Sequence, residues 1–392
     1  MNIRLIGLVF LLTGLAAWGQ IDVPSDGSDG DLNPGAGTLT IDLSQAVPGQ
    51  WDQAGTGAGV YDAAKWAVVF KYNSVNIPSG ATVRFINHPS GAPVVWLVKE
   101  TVSIAGTVDL SGGNAANLGS IAEPGPGGHR GGAAALFATV ASGGFGPGGG
   151  LSASGTGNAN AAGRFGDVRP YGNAQIVPLI GGSGGGGRTD ATHDGSAGGG
   201  AILIACRNTV TVTGTVRSIA GTSSVYLGSG GAVRILANAI DGTSAGLIDT
   251  GSRGAVGRIR LEANSINGVV RRTPAASEAA PDSPPLIWPP DNAPSVKVVS
   301  IGGASAPNDP RGSLNLGGQD VTLTGGGPVT VRVEARNVPR NWAVVVYAVP
   351  RHGQRFEVQA IRVSGDTPLS IWEAQLTLPP GAGVIQARAY RP

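Results

Sequence analysis

The sequence predicts an all-β fold: a right-handed parallel β-helix interrupted by a glycine-rich insertion and followed by an immunoglobulin-like β-sandwich. Three observations carry that expectation. First, a short phrase recurs, as Val75-Asn-Ile77-Pro-Ser-Gly80, Val102-Ser-Ile104-Ala-Gly106-Thr-Val108 and Val210-Thr-Val212-Thr-Gly214-Thr-Val216, with looser echoes ending at Gly242 and Gly268. Its glycines lie 26 apart in the first pair and 28 then 26 apart in the last three, a period that belongs to stacked repeats. Second, only 13% of the residues are charged, glycine fills 66 positions, β-branched residues are plentiful, and no window shows the 3.6-residue apolar period of an amphipathic helix. Third, about seven short apolar runs crowd the last hundred residues with turn signals between them, the pattern of a sandwich.

In chain order, residues 1–19 read as a secretory signal. Arg4 supplies the positive n-region, Leu5 to Leu15 the apolar stretch, and Ala17-Trp18-Gly19 a small-x-small cleavage site. That stretch is too short to span a membrane as a helix, and no second one follows. Residues 20–65 are an acidic, glycine-rich leader with one strand candidate at Leu39 to Leu43. From Trp66 to 270 each unit offers up to three brief apolar runs. They are Ala67 to Phe70, Ser74 to Ile77 and Thr82 to Phe85 in the first unit, and Val94 to Val98, Val102 to Ile104 and Thr107 to Leu110 in the second. Later units follow at Ala201 to Val216, Ala232 to Ile248 and Arg258 to Val269. Glycine at the corners turns the chain sharply without a Cβ clash. In Arg258-Ile-Arg260-Leu-Glu262 polar and apolar residues alternate, which sets one face inside and one in water.

Between 114 and 199 the pattern gives way to Gly, Ala, Ser and Asn. Side-chain burial cannot offset the ordering entropy of such a segment, so it is either disordered or packed backbone to backbone against the repeats. The spacing of Gly106 and Gly214 is a fourfold multiple of the repeat period, which is taken as coincidence because no strands are visible between them. Prolines make 271–294 a stiff linker. The sandwich, 295–392, has strand candidates at Ser295 to Ile301, Asp320 to Leu323, Val329 to Ala335, Trp342 to Ala348, Phe356 to Val363, Ile371 to Leu378 and Val384 to Tyr390. Cys206 is the lone cysteine, so no disulfide forms within one chain, and its apolar setting predicts a buried thiol.

The run Lys65-Trp-Ala-Val-Val-Phe-Lys-Tyr-Asn-Ser-Val-Asn-Ile-Pro-Ser-Gly80, with Asn87-His-Pro-Ser, Pro93-Val-Val-Trp-Leu-Val98, Glu123 to Gly128 and the block 181–187, resembles a group of secreted glycine-rich bacterial proteins. The resemblance spans roughly residues 21 to 270. It implies secretion and β architecture and transfers no catalytic residue. More loosely, the repeats are similar to the pectin-lyase-like β-helix of adhesins and polysaccharide-active enzymes.

Candidate chemistry is sparse. Asp26, Asp29, Asp31 and Asn33 place oxygen ligands at alternate positions, as calcium loops do, although Pro34 stands where such a loop needs glycine and Thr40 where it needs a bidentate Glu. Asp190, His193 and Asp194 form a second metal or acid-base candidate, to which His129 can be added only if the insertion brings them together. Gly182 to Thr189 reads G-x-x-x-x-G-R-T, but Arg188 replaces the lysine of a phosphate loop and no helix follows. Apart from calcium no cofactor is expected. Glycoside cleavage needs two carboxylates at a set separation, and no Asp-Asp pair occurs.

The formal net charge of +2 gives no electrostatic case for nucleic acid. The expected function is therefore a secreted or cell-surface, non-catalytic structural or adhesive protein, glycan-binding in one version. Its partners would be an extracellular polysaccharide, a cell-surface component or further copies of itself, and the periplasm is an alternative location. The alternative function is a polysaccharide lyase or glycoside hydrolase that uses His129, Asp194, Arg258 and Arg260.

Overall fold

The computed structural model describes residues 21–136, 140–152, 171–222, 226–268, 270–315, 317–324 and 327–392. The expected signal segment and residues 153–170 of the insertion lie outside them. Among the described residues the protein is all-β: the one helical element is a 3₁₀ turn at Leu43–Gln45, and no helix is long and apolar enough to cross a membrane.

The leader contributes β1 (Gly37–Asp42), β2 (Val47–Pro48) and β3 (Val60–Asp62). The first unit holds β4 (Ala67–Tyr72), β5 (Val75–Ile77) and β6 (Ala81–Ile86), and the second β7 (Val94–Val98), β8 (Val102–Ile104) and β9 (Thr107–Asp109). Beyond the glycine-rich segment come β10 (Ala201–Val212) and β11 (Thr215–Arg217), β12 (Ala232–Gly242) and β13 (Leu247–Asp249), then β14 (Arg258–Gly268), β15 (Arg271–Thr273) and β16 (Ser277–Ala279). In these later units one long strand replaces the first two short ones. In β10 the merger is marked by a register shift between Cys206 and Thr209.

Two sheets stack these units. One is wholly parallel in the order β1-β6-β9-β11-β13-β15; the other runs β16-β14-β12-β10-β7-β4-β3-β2, with β5 and β8 beside it and β3 antiparallel to β4. Val68 pairs with Val94 and Ala232 with Arg258, each partner one repeat period further on, whereas Val94 pairs with Ile202 across the whole glycine-rich segment. Among the described residues the interval from Gly106 to Gly214 contributes no further strand to the stack, because β9 pairs directly with β11. The chain leaves the stack after β9 and re-enters at the next position.

Strand alternation explains the core. In β6, Ala81 and Val83 are buried while Thr82 and Arg84 reach outward, so one face of each short strand enters a cluster running from Leu32 to Val270. Trp96, fully buried, meets Tyr72 edge-on at 5.9 Å. Filling such a site is worth roughly 1.5–3 kcal/mol per large apolar side chain. β7, and β4 from Ala67 to Phe70, are continuous apolar runs because their second face is covered too. Val69, Val95, Leu97, Leu203 and Leu236 lie beneath Ile21, Val23, Trp51, Leu179, Ile287 and Trp288. The stretch expected to be a linker therefore opens with two strands that extend the parallel sheets, and then folds back over the outside of one of them.

The glycine-rich segment is ordered by backbone hydrogen bonds with a three-residue period. His129, Gly132 and Ala135 donate their N–H groups to the carbonyls of Gly182, Gly185 and Arg188. Gly182, Gly185 and Arg188 donate in turn to Gly199, Ser196 and His193, and Ala201, Gly198 and Gly195 donate back to Pro126, His129 and Gly132. A fourth run joins the lattice: Ser142 and Phe145 donate to Ala133 and Arg130, and Gly187 and Gly184 donate to Ser142 and Phe145. A three-residue period of hydrogen bonds passing between neighbouring runs is the habit of polyproline II-like strands. Of the two expectations for this segment, its described part follows the backbone-to-backbone one. The side-chain burial argument missed the mutual satisfaction of peptide groups in a dense interior built mostly of backbone.

The C-terminal residues form β17 (Ser295–Ile301), β18 (Ala304–Ser305), β19 (Pro328–Arg336), β20 (Ala343–Pro350), β21 (Phe356–Gln359), β22 (Ile361–Asp366), β23 (Leu369–Thr377) and β24 (Gly383–Tyr390). They make two antiparallel sheets, β18-β17-β19-β23-β22 and β21-β20-β24, which share one core around Val331, Val333, Val344, Val346 and Trp372. Asp320 to Leu323 is not a strand, and the run Phe356 to Val363 is divided between two strands that lie in different sheets. This region touches the glycine-rich lattice: Phe145 packs with Tyr347 and Val349, Arg355 donates to the carbonyl of Pro147 at 3.1 Å, and Ser152 N–H donates to Gln354 at 2.9 Å.

Candidate functional site

The wholly parallel sheet turns a regular polar row outward. Its pairing places Arg217 beside Asp109 on one side and Asp249 on the other. The neighbouring pair Val83–Val108 brings Arg84 to Asp109, and Thr40 continues the row beside Arg84. The result is alternating charge, Arg84, Asp109, Arg217, Asp249, at the interstrand spacing of about 4.8 Å. Arg217 Nη2 lies 2.8 Å and Arg84 Nε 3.3 Å from Asp109 Oδ2. Burial raises the Asp109 carboxyl, but hydrogen bonds from Arg217 and Ser111 outweigh it and hold it below the ordinary carboxylate value. The same bond to Asp109 raises Arg217.

Over this row the chain leaving and rejoining the stack builds a groove of about 380 Å³. Ser111 to Asn114, Pro124 to Pro126 and Ile219 to Thr222 form its walls, and Arg84, Asp109 and Arg217 its charged floor. Cross-strand pairing creates the charge row and the glycine-rich excursion creates the wall. A second cleft of about 350 Å³ lies where the proline-rich return crosses the leader. There Trp51 meets Trp288 edge-on at 5.5 Å, and Asp22, Lys65 and Asp291 line the cleft.

The residues nominated from sequence lie elsewhere. His129 is enclosed in the glycine lattice, where a Cβ on Gly146 would meet its ring at 2.4 Å. Burial, aided by Arg355, lowers it to about 4. Asp194 accepts from the N–H groups of Gly119 and Ala134 at 2.9 and 2.7 Å, and burial raises it despite those bonds. Arg258 donates to the carbonyl of Tyr171 at 2.5 Å and lies over that ring. Arg260 Nε is 3.0 Å from Glu262, which also holds the buried Arg234 through two hydrogen bonds. Asp194, Arg258 and Arg260 serve three separate local contacts, whereas His129 Nε2 is enclosed with no hydrogen-bond partner.

The two metal candidates are likewise engaged in structure. Asp26 accepts from Ser28; Asp29 Oδ1 accepts from Gly57 N–H at 2.8 Å and its Oδ2 from Lys71 N–H at 2.7 Å. Asp31 accepts from Asn73 and Ser74, and Asn33 from Asn76. The alternate oxygens of the leader thus tie it to the first unit. Asp190 pairs with Arg188 and Thr192, and His193 Nδ1 lies 3.0 Å from Thr192. Among the described residues no group of three His, Cys, Asp or Glu side chains is placed to hold a metal ion. Cys206 is buried, as expected, and burial pushes its thiol up to about 11.

Sequence reasoning missed Arg84, Asp109 and Arg217. A signal was present: Asp109, Arg217 and Asp249 each stand three residues after a corner glycine, Gly106, Gly214 and Gly246. No protein-family model matches the chain, and neither a curated protein nor a solved structure matches it.

Proposed function

We propose that the protein is a secreted or cell-surface, non-catalytic binding protein that adheres to extracellular glycan. In this reading the parallel sheets are the faces of a right-handed β-helix, the hand that parallel crossovers take. The C-terminal sheets are an immunoglobulin-like sandwich. The strand order β17-β19-β23-β22 opposite β21-β20-β24 supports that second assignment, since it follows the A-B-E-D and C′-C-F arrangement of such domains.

The observation that carries the proposal is the outward Arg84, Asp109, Arg217 row beneath an open groove. Polar groups repeated at about 4.8 Å suit a polymer with a hydroxylated repeat better than a compact metabolite. The cleavage alternative loses support because Asp194, Arg258 and Arg260 are engaged in separate structural contacts and His129 is enclosed away from them.

The test is co-sedimentation of the purified mature protein with a panel of insoluble and bead-coupled polysaccharides, with new reducing or unsaturated chain ends scored in the same tubes. Saturable sedimentation without new ends is the expected result. Release of ends overturns the non-catalytic reading, and a folded protein that sediments with no glycan overturns the binding one.

A further inference from the structure

Resting on the glycan-binding reading, we infer that the groove over β6, β9 and β11 recognises an oxyanion carried on a glycan chain, a carboxylated or sulfated sugar, through Arg84 and Arg217. The argument starts from what the floor has left to offer. Asp109 is 7% exposed and both of its oxygens are engaged: Oδ2 by Arg217 at 2.8 Å and Arg84 at 3.3 Å, Oδ1 by the N–H of Ser111 at 3.1 Å. Its acceptor capacity is turned inward. The two arginine side chains remain 56% and 39% exposed, and each guanidinium is a fork of N–H donors with bonds to spare.

Among the ionisable lining residues there are two arginines and one aspartate, so the groove carries one net positive charge. Its floor also holds a shielded polar atom with no hydrogen-bond partner, Arg217 Nε. Buried polar groups are otherwise almost always satisfied, so hydrogen-bonding capacity stands unused at this point. A surface that presents planar donors and net positive charge selects an acceptor-rich planar or tetrahedral anion, which guanidinium grips through two bonds at once.

The geometry favours a polymer over a free anion. From β6 to β11 is two interstrand spacings, about 10 Å, room for two sugar units. Pro124 supplies apolar wall for their C–H faces. Beyond the groove the row continues to Thr40 at one end and Asp249 at the other, along the line a chain would follow.

The experiment measures binding of the full mature protein to immobilised polygalacturonate, dextran sulfate and unmodified dextran, for the wild type, Arg84→Gln and Arg217→Gln. Circular dichroism confirms that each variant is folded. Expected are binding to at least one acidic polymer at least tenfold tighter than to dextran, loss of at least tenfold in each variant, and a steep fall between 50 and 500 mM salt, as screening requires. Which acidic polymer prevails tells carboxylate from sulfate. Equal affinity for dextran overturns the oxyanion assignment and leaves the glycan reading standing, whereas no binding to any polymer overturns both. Unchanged acidic-polymer binding in Arg84→Gln, whose side chain is the more exposed and the less structural, also overturns the site.

Discussion

Gly184→Ala is the sharpest probe of the glycine-rich lattice. A Cβ at Gly184 would stand 1.8 Å from the carbonyl oxygen of Arg130 and 2.5 Å from its carbon. The separation from that oxygen would have to nearly double to reach the 3.4 Å at which ordinary contact begins. The Arg130 backbone has no free direction in which to retreat. Its carbonyl accepts from Phe145 N–H at 3.0 Å, and Gly184 N–H donates to the Phe145 carbonyl at 3.0 Å. Overpacking costs typically about 1–3 kcal/mol and each displaced hydrogen bond about 1 kcal/mol, so the substitution should destabilise by about 3 kcal/mol. Gly35→Ala is the matched control. No atom lies within 4 Å of a Cβ there and its φ is not positive, so the loss of unfolded-state entropy should make it neutral or stabilising by about 0.5 kcal/mol. Thermal unfolding followed by circular dichroism should show Gly184→Ala melting roughly 5–10 °C lower, with faster proteolysis between residues 114 and 199. If the two variants melt within a degree of one another, the lattice is not packed backbone to backbone.

Two further outcomes follow from buried ionisable groups. His129 is held at about 4 against an ordinary 6.5, so the unfolded chain takes up its proton first as pH falls. Stability should therefore decline from about pH 6.5 down to 4, by up to about 3 kcal/mol. In His129→Gln that share of the slope vanishes in denaturant titrations across the range, and an identical slope would refute the assignment. Glu262→Leu strands Arg234, which is 2% exposed, and should cost about 3–5 kcal/mol, while Arg234→Met with Glu262→Leu should recover most of the loss. A single-variant cost below about 1 kcal/mol would show that the pair is solvated.

Much of the repeat was legible because its signals are those of side chains. Val94 to Val98 and Val102 to Ile104 emerge as strands at the residues their alternation and corners mark, and the Gly80 to Gly106 spacing equals the pairing offset of Val68 and Val94. The glycine-rich segment was opaque because its strands have no side-chain alternation. Their trace is glycine at every third position, as in Gly125, Gly128 and Gly131 or Gly181, Gly184 and Gly187, which composition alone also generates. The groove escaped for another reason. Arg84, Asp109 and Arg217 are ordinary isolated charges in the sequence, and become a constellation only when pairing lays three separate stretches of chain side by side. Arg260 and Glu262 stand on the polar face that alternation assigns to water, yet their side chains are only 13% and 3% exposed and pair with one another.

The place where the chain leaves the stack is also where it returns: Gly200 N–H donates to the carbonyl of Leu110 at 2.8 Å. A detour whose two ends are a single hydrogen bond apart imposes almost no geometric condition on its own length. Doubling a closed loop costs only about 0.6 kcal/mol in entropy, and β7 to β9 dock on β10 and β11 in a register that does not depend on what lies between. The junction is thus a cassette position. A lineage can lengthen, shorten or exchange the lattice there, and remodel the wall of the groove, without renegotiating a single rung of the sheets beneath it.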